Sequence, residues 1–102
     1  MVKHIVLLKI AEQNLDNQEL TAVIEELAML SRQQIPEIKS FVSGKNISPE
    51  GLSREFNYGF IMEFEDIKSR DSYLIHPEHI KVAQKLLQLV NDGINSVLVL
   101  DF

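Results

Sequence analysis

The stretch FNYGFIMEFE, residues 56–65, has the most regular pattern in the chain. Aromatic side chains or methionine occupy every second position from Phe56 to Phe64, and polar or aliphatic residues and a glycine lie between them. A period of two residues is that of a β-strand, whose successive side chains point to opposite faces of a sheet. The stretch therefore predicts a strand with one aromatic face. Such a face is most often plain core, but a buried Tyr58 hydroxyl needs a partner, which a ligand could supply.

Three other segments predict strands because they are rich in β-branched and aliphatic side chains. They are residues 2–10, 38–47 and 96–102. Both faces of the first segment are largely apolar, which is typical of a central strand that is covered on both sides. The irregular stretch between the second segment and residue 56 contains Pro49 and Gly51 and predicts a surface loop.

Two longer segments have apolar residues at helical spacing and predict amphipathic helices. The first ends near residues 32–34 and starts at a capping-box pattern formed by Asp16 and Glu19. The second runs from Pro77 to a stop signal at residues 91–93, after a short helical segment at residues 66–73. The order β-α-β-β-α-β predicts a ferredoxin-like α+β fold, in which both helices cover one face of a four-stranded antiparallel sheet.

Composition narrows the classes of protein and partner. The chain has 102 residues, of which 45% are hydrophobic, and we interpret residues 1–102 as one domain. It has no Cys, so we expect neither disulfides nor thiolate chemistry, and a cytoplasmic location. The net charge of -5 argues against nucleic acid as a partner, and no apolar run is long enough to predict a membrane span.

The stretch YLIHPEH, residues 73–79, concentrates groups that can exchange protons. Pro77 favours a helix start, which places His79 in the first turn beside unpaired backbone N–H groups. The positive end of the helix dipole disfavours the protonated imidazole, so we expect His79 to be neutral near pH 7. His76 is interpreted as the end of a turn. A purely structural role is equally compatible with the sequence: Tyr73 would cover the core, and His79 would accept a hydrogen bond from a backbone amide at the start of the helix.

Other sites are weaker candidates. His4 is the one polar ring on an aliphatic strand face, where a hydrogen-bonded core histidine is more common than a ligand-binding one. His76 and His79, with Glu78 between them, resemble a metal-ligand cluster, but the chain has no Cys and offers only His4 and Asp101 as distant partners, so we expect no metal. No glycine-rich phosphate loop and no haem or flavin signature is present, and we expect no cofactor.

The apolar character of both strand faces predicts the assembly. Helices on one face leave the other face of the sheet exposed as a large apolar patch. The simplest cover is a homodimer in which two sheets face each other and close into a barrel with a cavity between them. We expect the histidine and tyrosine side chains on these uncovered faces, where they would meet inside the barrel.

Five pieces of sequence, in order, resemble the stress-responsive A/B barrel domain family. They are MVKHIVLLK at residues 1–9, GKNISPEG at 44–51, GFIMEFED at 59–66, YLIHPEH at 73–79 and VLDF at 99–102. The resemblance covers essentially the whole chain and implies a dimeric α/β barrel. Most members of the family have no assigned activity. One plant member cyclises a linear polyketide with the tyrosine and the second histidine of the fourth piece.

The resemblance assigns roles to single residues. Tyr73 and His79 take the catalytic positions, and His4 and Asp101 take supporting, ligand-binding ones. Tyr58 occupies a position that is often histidine in the family, so a polar ring is retained while the exact chemistry is not.

Three alternative functions are compatible with these residues. The chain binds a small hydrophobic or aromatic molecule in the barrel cavity, or is a cofactor-free cyclase or lyase acting on a polyketide-like keto substrate, or acts through its outer surface with a collapsed barrel.

Overall fold

The computed structural model describes all 102 residues and contains one four-stranded sheet. The strands are β1 (Val2–Leu8), β2 (Ile38–Lys45), β3 (Tyr58–Phe64) and β4 (Val97–Asp101). Their spatial order is β2-β3-β1-β4, and every neighbouring pair is antiparallel. The predicted ferredoxin-like fold is therefore confirmed, with the aromatic stretch forming a central strand beside β1.

Three helices pack against this sheet: α1 (Gln18–Gln33), α2 (Ile67–Leu74) and α3 (Pro77–Leu87). The N-cap of α1 is Asn17, whose side chain accepts a hydrogen bond from the Leu20 N–H at 3.0 Å. The predicted capping box of Asp16 and Glu19 is therefore wrong by one residue. Asp16 lies outside the helix and forms an ion pair with Lys45 of β2.

The start of α3 agrees with the prediction, whereas its end does not. Pro77 is the first residue of the helix, but the last one is Leu87 rather than a residue near 91–93. The following segment leaves the helix because it pairs with the chain beyond β1: the Ala11 N–H donates to the Leu89 carbonyl at 2.9 Å, and Ile10 bridges Val90. Backbone pairing therefore ends the helix at Leu87, although the apolar residues continue at helical spacing.

The register decides which side chains face the helices. His4 lies opposite Met62 on β3 and opposite Asp101 on β4, so these three side chains point to the same face. Met62 is fully buried in the core beneath the helices, as is Phe64 two residues further along β3. The helix-covered face therefore carries the aromatic side chains of β3 and also His4 and Asp101.

The opposite face of the sheet has no helix over it. Its central positions are apolar, and several of them are exposed. They are Ile5 and Leu7 of β1, Val42 of β2, Ile61 of β3, and Leu98 and Leu100 of β4. The chain thus has the uncovered apolar face that the sequence predicts. None of its helices has the length and apolarity needed to cross a bilayer.

Candidate functional site

A polar network crosses one end of the helix-covered face. His4, which is 5% exposed, approaches the Asp101 Oδ1 with its Nδ1 at 2.8 Å. The second carboxylate oxygen of Asp101 accepts from Arg70 Nη1 at 2.6 Å, and Arg70 Nε donates to Asp71 at 2.9 Å. Strands β1 and β4 supply the first two residues and helix α2 supplies Arg70. The ion pair between Arg70 and Asp101 therefore links helix α2 to the sheet at this point.

The carboxylate of this network is ionised at neutral pH. Partial burial opposes its ionisation, but the hydrogen bonds from Arg70 and His4 outweigh burial and lower the pKa of Asp101 below its usual value. The same contacts with Asp101 and Asp71 raise the pKa of Arg70. The guanidinium and the carboxylate thus remain a charged pair.

Tyr73 lies between the two histidines. Its ring centroid is 5.8 Å from that of His4 and 4.1 Å from that of His79. Tyr73 is 1% exposed, and its burial raises the pKa of the phenol, so the hydroxyl stays protonated. This hydroxyl has no hydrogen bond to another protein group, yet no side-chain oxygen or nitrogen is both inaccessible and unpartnered. The hydroxyl oxygen is therefore still accessible to water.

The second histidine of the YLIHPEH stretch is oriented by the backbone. Nδ1 of His79 lies 3.2 Å from the Leu74 carbonyl oxygen, which can only accept, so Nδ1 carries the proton. Burial lowers the pKa of His79 and outweighs the opposite effect of this hydrogen bond. The direction of this shift agrees with the prediction, but its main cause is burial rather than the helix dipole, and the neutral ring has its lone pair on Nε2.

The first histidine of that stretch has a different role. His76 is the N-cap of α3, and its Nδ1 accepts a hydrogen bond from the Glu78 N–H at 3.1 Å. This contact satisfies one of the backbone donors at the start of the helix. The interpretation of His76 as a turn residue is confirmed.

A cavity of about 460 Å³ lies beside the three rings, between the sheet and the helices of one chain. Fourteen residues line it, and eleven of them are hydrophobic. Its polar end is formed by His4, Tyr73, His79 and Asp101. A mostly apolar pocket with a few convergent polar groups is typical of small-molecule sites.

The location of this cavity corrects one prediction. Sequence analysis placed the histidine and tyrosine side chains on the uncovered faces of two sheets, whereas the register places them on the helix-covered face. The polar groups consequently meet within one protomer, between its sheet and its helices. The two apolar faces of a strand look alike in sequence, and only the helix packing distinguishes them.

Tyr58, the remaining predicted ligand-binding residue, is not brought to this cavity. It pairs with Leu8 at the other end of β1, four residues along the strand from the position opposite His4. At about 3.3 Å per residue, that separation is about 13 Å. Tyr58 is partly buried and packs against the edge of the core.

Arg70 is the residue that sequence reasoning missed. It lies on a short helix among exposed polar residues, and only the folded chain brings it to Asp101, 31 positions away. Its place three residues before Tyr73, one helical turn away, is the signal that could have suggested a shared site. No group of three or more His, Cys, Asp or Glu side chains that could hold a metal ion is present.

Comparison with known proteins assigns the chain to a family. The model of the stress responsive A/B barrel domain matches residues 2–102. The chain belongs to this family. No curated protein matches the sequence.

Solved structures of similar proteins support the assignment of the fold. A dimeric ferredoxin-like protein of unknown function from Jannaschia sp. CCS1 is 27% identical, with a TM-score of 0.86 over 99% of this chain and 96% of that one. A protein from Arabidopsis thaliana is also 27% identical, with a TM-score of 0.87 over 100% of this chain and 93% of that one. A hydroxynitrile lyase from Passiflora edulis is 19% identical, with a TM-score of 0.83 over 99% and 90% of the two chains, and shows a shared fold.

Proposed function

We propose that this A/B barrel protein is a homodimer in which each protomer binds a small hydrophobic or aromatic molecule. The observation that carries the proposal is the cavity of about 460 Å³, apolar along most of its wall and polar at one end. Apolar lining favours a hydrophobic body, because such a body releases water on binding. The grouped rings favour a carbonyl or hydroxyl group at the end of the ligand.

The uncovered face of the sheet supports the dimer. Its exposed apolar side chains would be removed from water by the same face of a second copy, which is the self-complementary contact of a twofold dimer. The similar protein from Jannaschia sp. CCS1 is described as dimeric. Because the cavity lies between the sheet and the helices of one chain, the dimer would hold two cavities.

Binding can be tested with prodan, an uncharged naphthyl ketone whose fluorescence reports a dry environment. We expect saturable binding to the wild-type protein and a loss of affinity of about tenfold or more in Ala83→Phe, since Ala83 lines the cavity. The matched control is Gln84→Phe, the next residue of α3, which is exposed. Equal affinity in both variants would show that prodan binds somewhere else. Native mass spectrometry of freshly purified protein would report the dimer and any retained ligand together.

A second candidate function is a cofactor-free cyclase or lyase acting on a keto substrate. The observation that favours it is the pairing of a free Tyr73 hydroxyl with a neutral His79 whose Nε2 bears a lone pair. The hydroxynitrile lyase from Passiflora edulis has the same fold, so the fold is compatible with lyase chemistry.

These two residues could divide the chemistry of a cyclisation between them. His79 Nε2 would remove a proton from a carbon between two carbonyls, and the resulting carbanion would form a bond to a second carbonyl carbon. The carbonyl oxygen that becomes negative would accept a hydrogen bond from Tyr73 and then the proton from His79. The cavity would fold the substrate so that the reacting carbons meet.

Proton abstraction can be measured without knowing the substrate. We expect the protein to accelerate deuterium exchange at the carbon between the carbonyls of an aryl β-diketone in D2O. His79→Gln should abolish the acceleration, whereas His76→Asn should retain it because asparagine preserves the N-cap. Acceleration that survives His79→Gln would exclude His79 as the base.

A further inference from the structure

The uncovered face of the sheet is uneven along one row of paired residues. Counted across the sheet from β2 to β4, this row is Gly44, Gly59, Leu7 and Leu98. Two glycines therefore lie side by side on the β2 side of the row, and two leucines lie on the β4 side. Since glycine has no side chain, the face is lower over β2 than over β4.

The space is open above one of the two glycines. A Cβ atom on Gly59 would lie 3.1 Å from Cδ2 of Leu7, whose side chain leans over that position. At Gly44, no atom lies within 4 Å of the corresponding point, and φ is outside the left-handed region. The fold of one chain therefore does not require glycine at position 44. Gly44 lines a depression of about 320 Å³ on the sheet, and a glycine within a strand is typical of a place where another group approaches closely.

A twofold axis parallel to the strands, midway between two stacked sheets, would bring the low and high sides of the face together. Such an axis places β4 of one copy over β2 of the other and keeps each row at its own level along the strands. Leu98 of each copy then lies over Gly44 of the other. In the next row, Val42 would lie opposite Leu100, so the contact remains apolar.

The charged end of the face is complementary about the same axis. Lys3 and Glu63 are paired residues of β1 and β3, one row beyond the apolar positions. Lys3 forms no ion pair within its chain, and its Nζ lies 5.9 Å from the centre of the Phe102 ring. Because the axis places β3 over β1, Glu63 of each copy would face Lys3 of the other. A twofold axis across the strands would instead place Lys3 opposite Lys9 of the second copy, where like charges repel.

We propose that two copies of this chain pair about a twofold axis parallel to the strands, with Leu98 of each copy seated above Gly44 of the other. This inference rests on the proposed homodimer and specifies how its two sheets pack. The leucine contact supplies apolar burial at the centre of the interface, and the pairs of Lys3 with Glu63 fix the orientation at its rim.

Filling the space above Gly44 should block this packing. Gly44→Val meets no atom of its own chain, so we expect a folded protein by circular dichroism. In the dimer, the added side chain would overlap Leu98 at two symmetric places, and the dimer Kd from sedimentation velocity should rise about a hundredfold or more. The matched control is Ser43→Val, an exposed neighbour on the opposite face of β2, which should change Kd by less than about threefold.

A compensating change tests the contact with Leu98 directly. Leu98→Ala alone should weaken the dimer by about tenfold or more, because it removes apolar burial. The double variant Gly44→Val/Leu98→Ala has nearly the original side-chain volume at the contact, so its Kd should lie within about tenfold of the wild-type value. Independent positions would instead give the product of the two single effects, about a thousandfold or more.

Cross-linking measures the orientation of the two copies. The chain has no Cys, so an introduced thiol reports on one position. A mixture of Gly44→Cys and Leu98→Cys chains should be joined by a short bismaleimide into a covalent dimer that contains one chain of each kind. Gly44→Cys alone should not be joined, because its two thiols would lie at opposite edges of the interface, about 17 Å apart. Efficient cross-linking of Gly44→Cys with itself would overturn the proposed axis.

The outcomes separate this inference from the proposed homodimer. Equal Kd values for Gly44→Val and Ser43→Val, or additive effects in the double variant, would overturn the packing and leave the dimer intact. If Gly44→Val does not fold, the cross-linking of the mixed chains decides: its absence in a dimeric sample overturns the packing. A wild-type chain that stays monomeric at every concentration would remove the homodimer and this inference together.

Discussion

The uncovered face of the sheet gives the most direct quantitative prediction. Leu98 and Leu100 of β4 are 42% and 56% exposed, and both point away from the helices. Full burial of a leucine contributes about 1.5–3 kcal/mol, so burial of the remaining half contributes about 1 kcal/mol for each residue. Each residue occurs twice in a twofold dimer, so four leucine side chains contribute about 4 kcal/mol. The double variant Leu98→Gln/Leu100→Gln should therefore weaken the dimer by about 4 kcal/mol, or about a thousandfold in Kd.

Sedimentation velocity over a wide range of protein concentration measures this Kd. The matched control is Ile67→Gln/Ile80→Gln, which changes two helix residues that are 61% and 45% exposed and lie off the sheet. Circular dichroism should show that both double variants remain folded, because the changed side chains are not core residues. A Kd of the sheet variant within about threefold of the control would refute the assignment of this face as the interface.

Three further predictions concern the site and its support. Tyr73→Phe should weaken prodan binding by about fivefold while changing the free energy of unfolding by less than about 0.5 kcal/mol, because the hydroxyl has no protein partner; titration and urea unfolding would show both. The pKa of His79 is lower in the folded than in the unfolded state, so the unfolded chain gains a proton first as pH falls below about 6.5; stability should decrease from pH 7.5 to 5.5, and by less in His79→Gln. Asn57→Ala should lower the free energy of unfolding by about 2 kcal/mol, since the amide forms hydrogen bonds of 2.8 and 2.9 Å with the Ile10 backbone; an unchanged urea midpoint would contradict this role.

Local patterns in the sequence were enough to predict the elements and their order. The alternation in residues 56–65 gives β3, and the helical spacing of apolar residues gives α1. Pro77 gives the start of α3 because its ring favours the first helical turn. These features depend on backbone geometry within a few residues, which the neighbouring side chains largely determine.

Long-range pairing decided the site. His4 and Asp101 are 97 positions apart, and the register of β1 with β4 places them on one face. A shift of one residue would have turned every side chain of a strand to the other face, and no local pattern excludes that shift in strands that are apolar on both sides. The same register holds Tyr58 away from the cavity.

By itself, the sequence therefore determined a β-α-β-β-α-β chain with two apolar strand faces and four candidate rings, His4, Tyr58, Tyr73 and His79. Only the tertiary structure decided that three of these rings meet inside one protomer, that Arg70 is linked to them through Asp101, and that the other face of the sheet has no helix over it. The physical reason is that periodicity records which side chains share a face of an element. Which element covers that face depends on packing between distant parts of the chain.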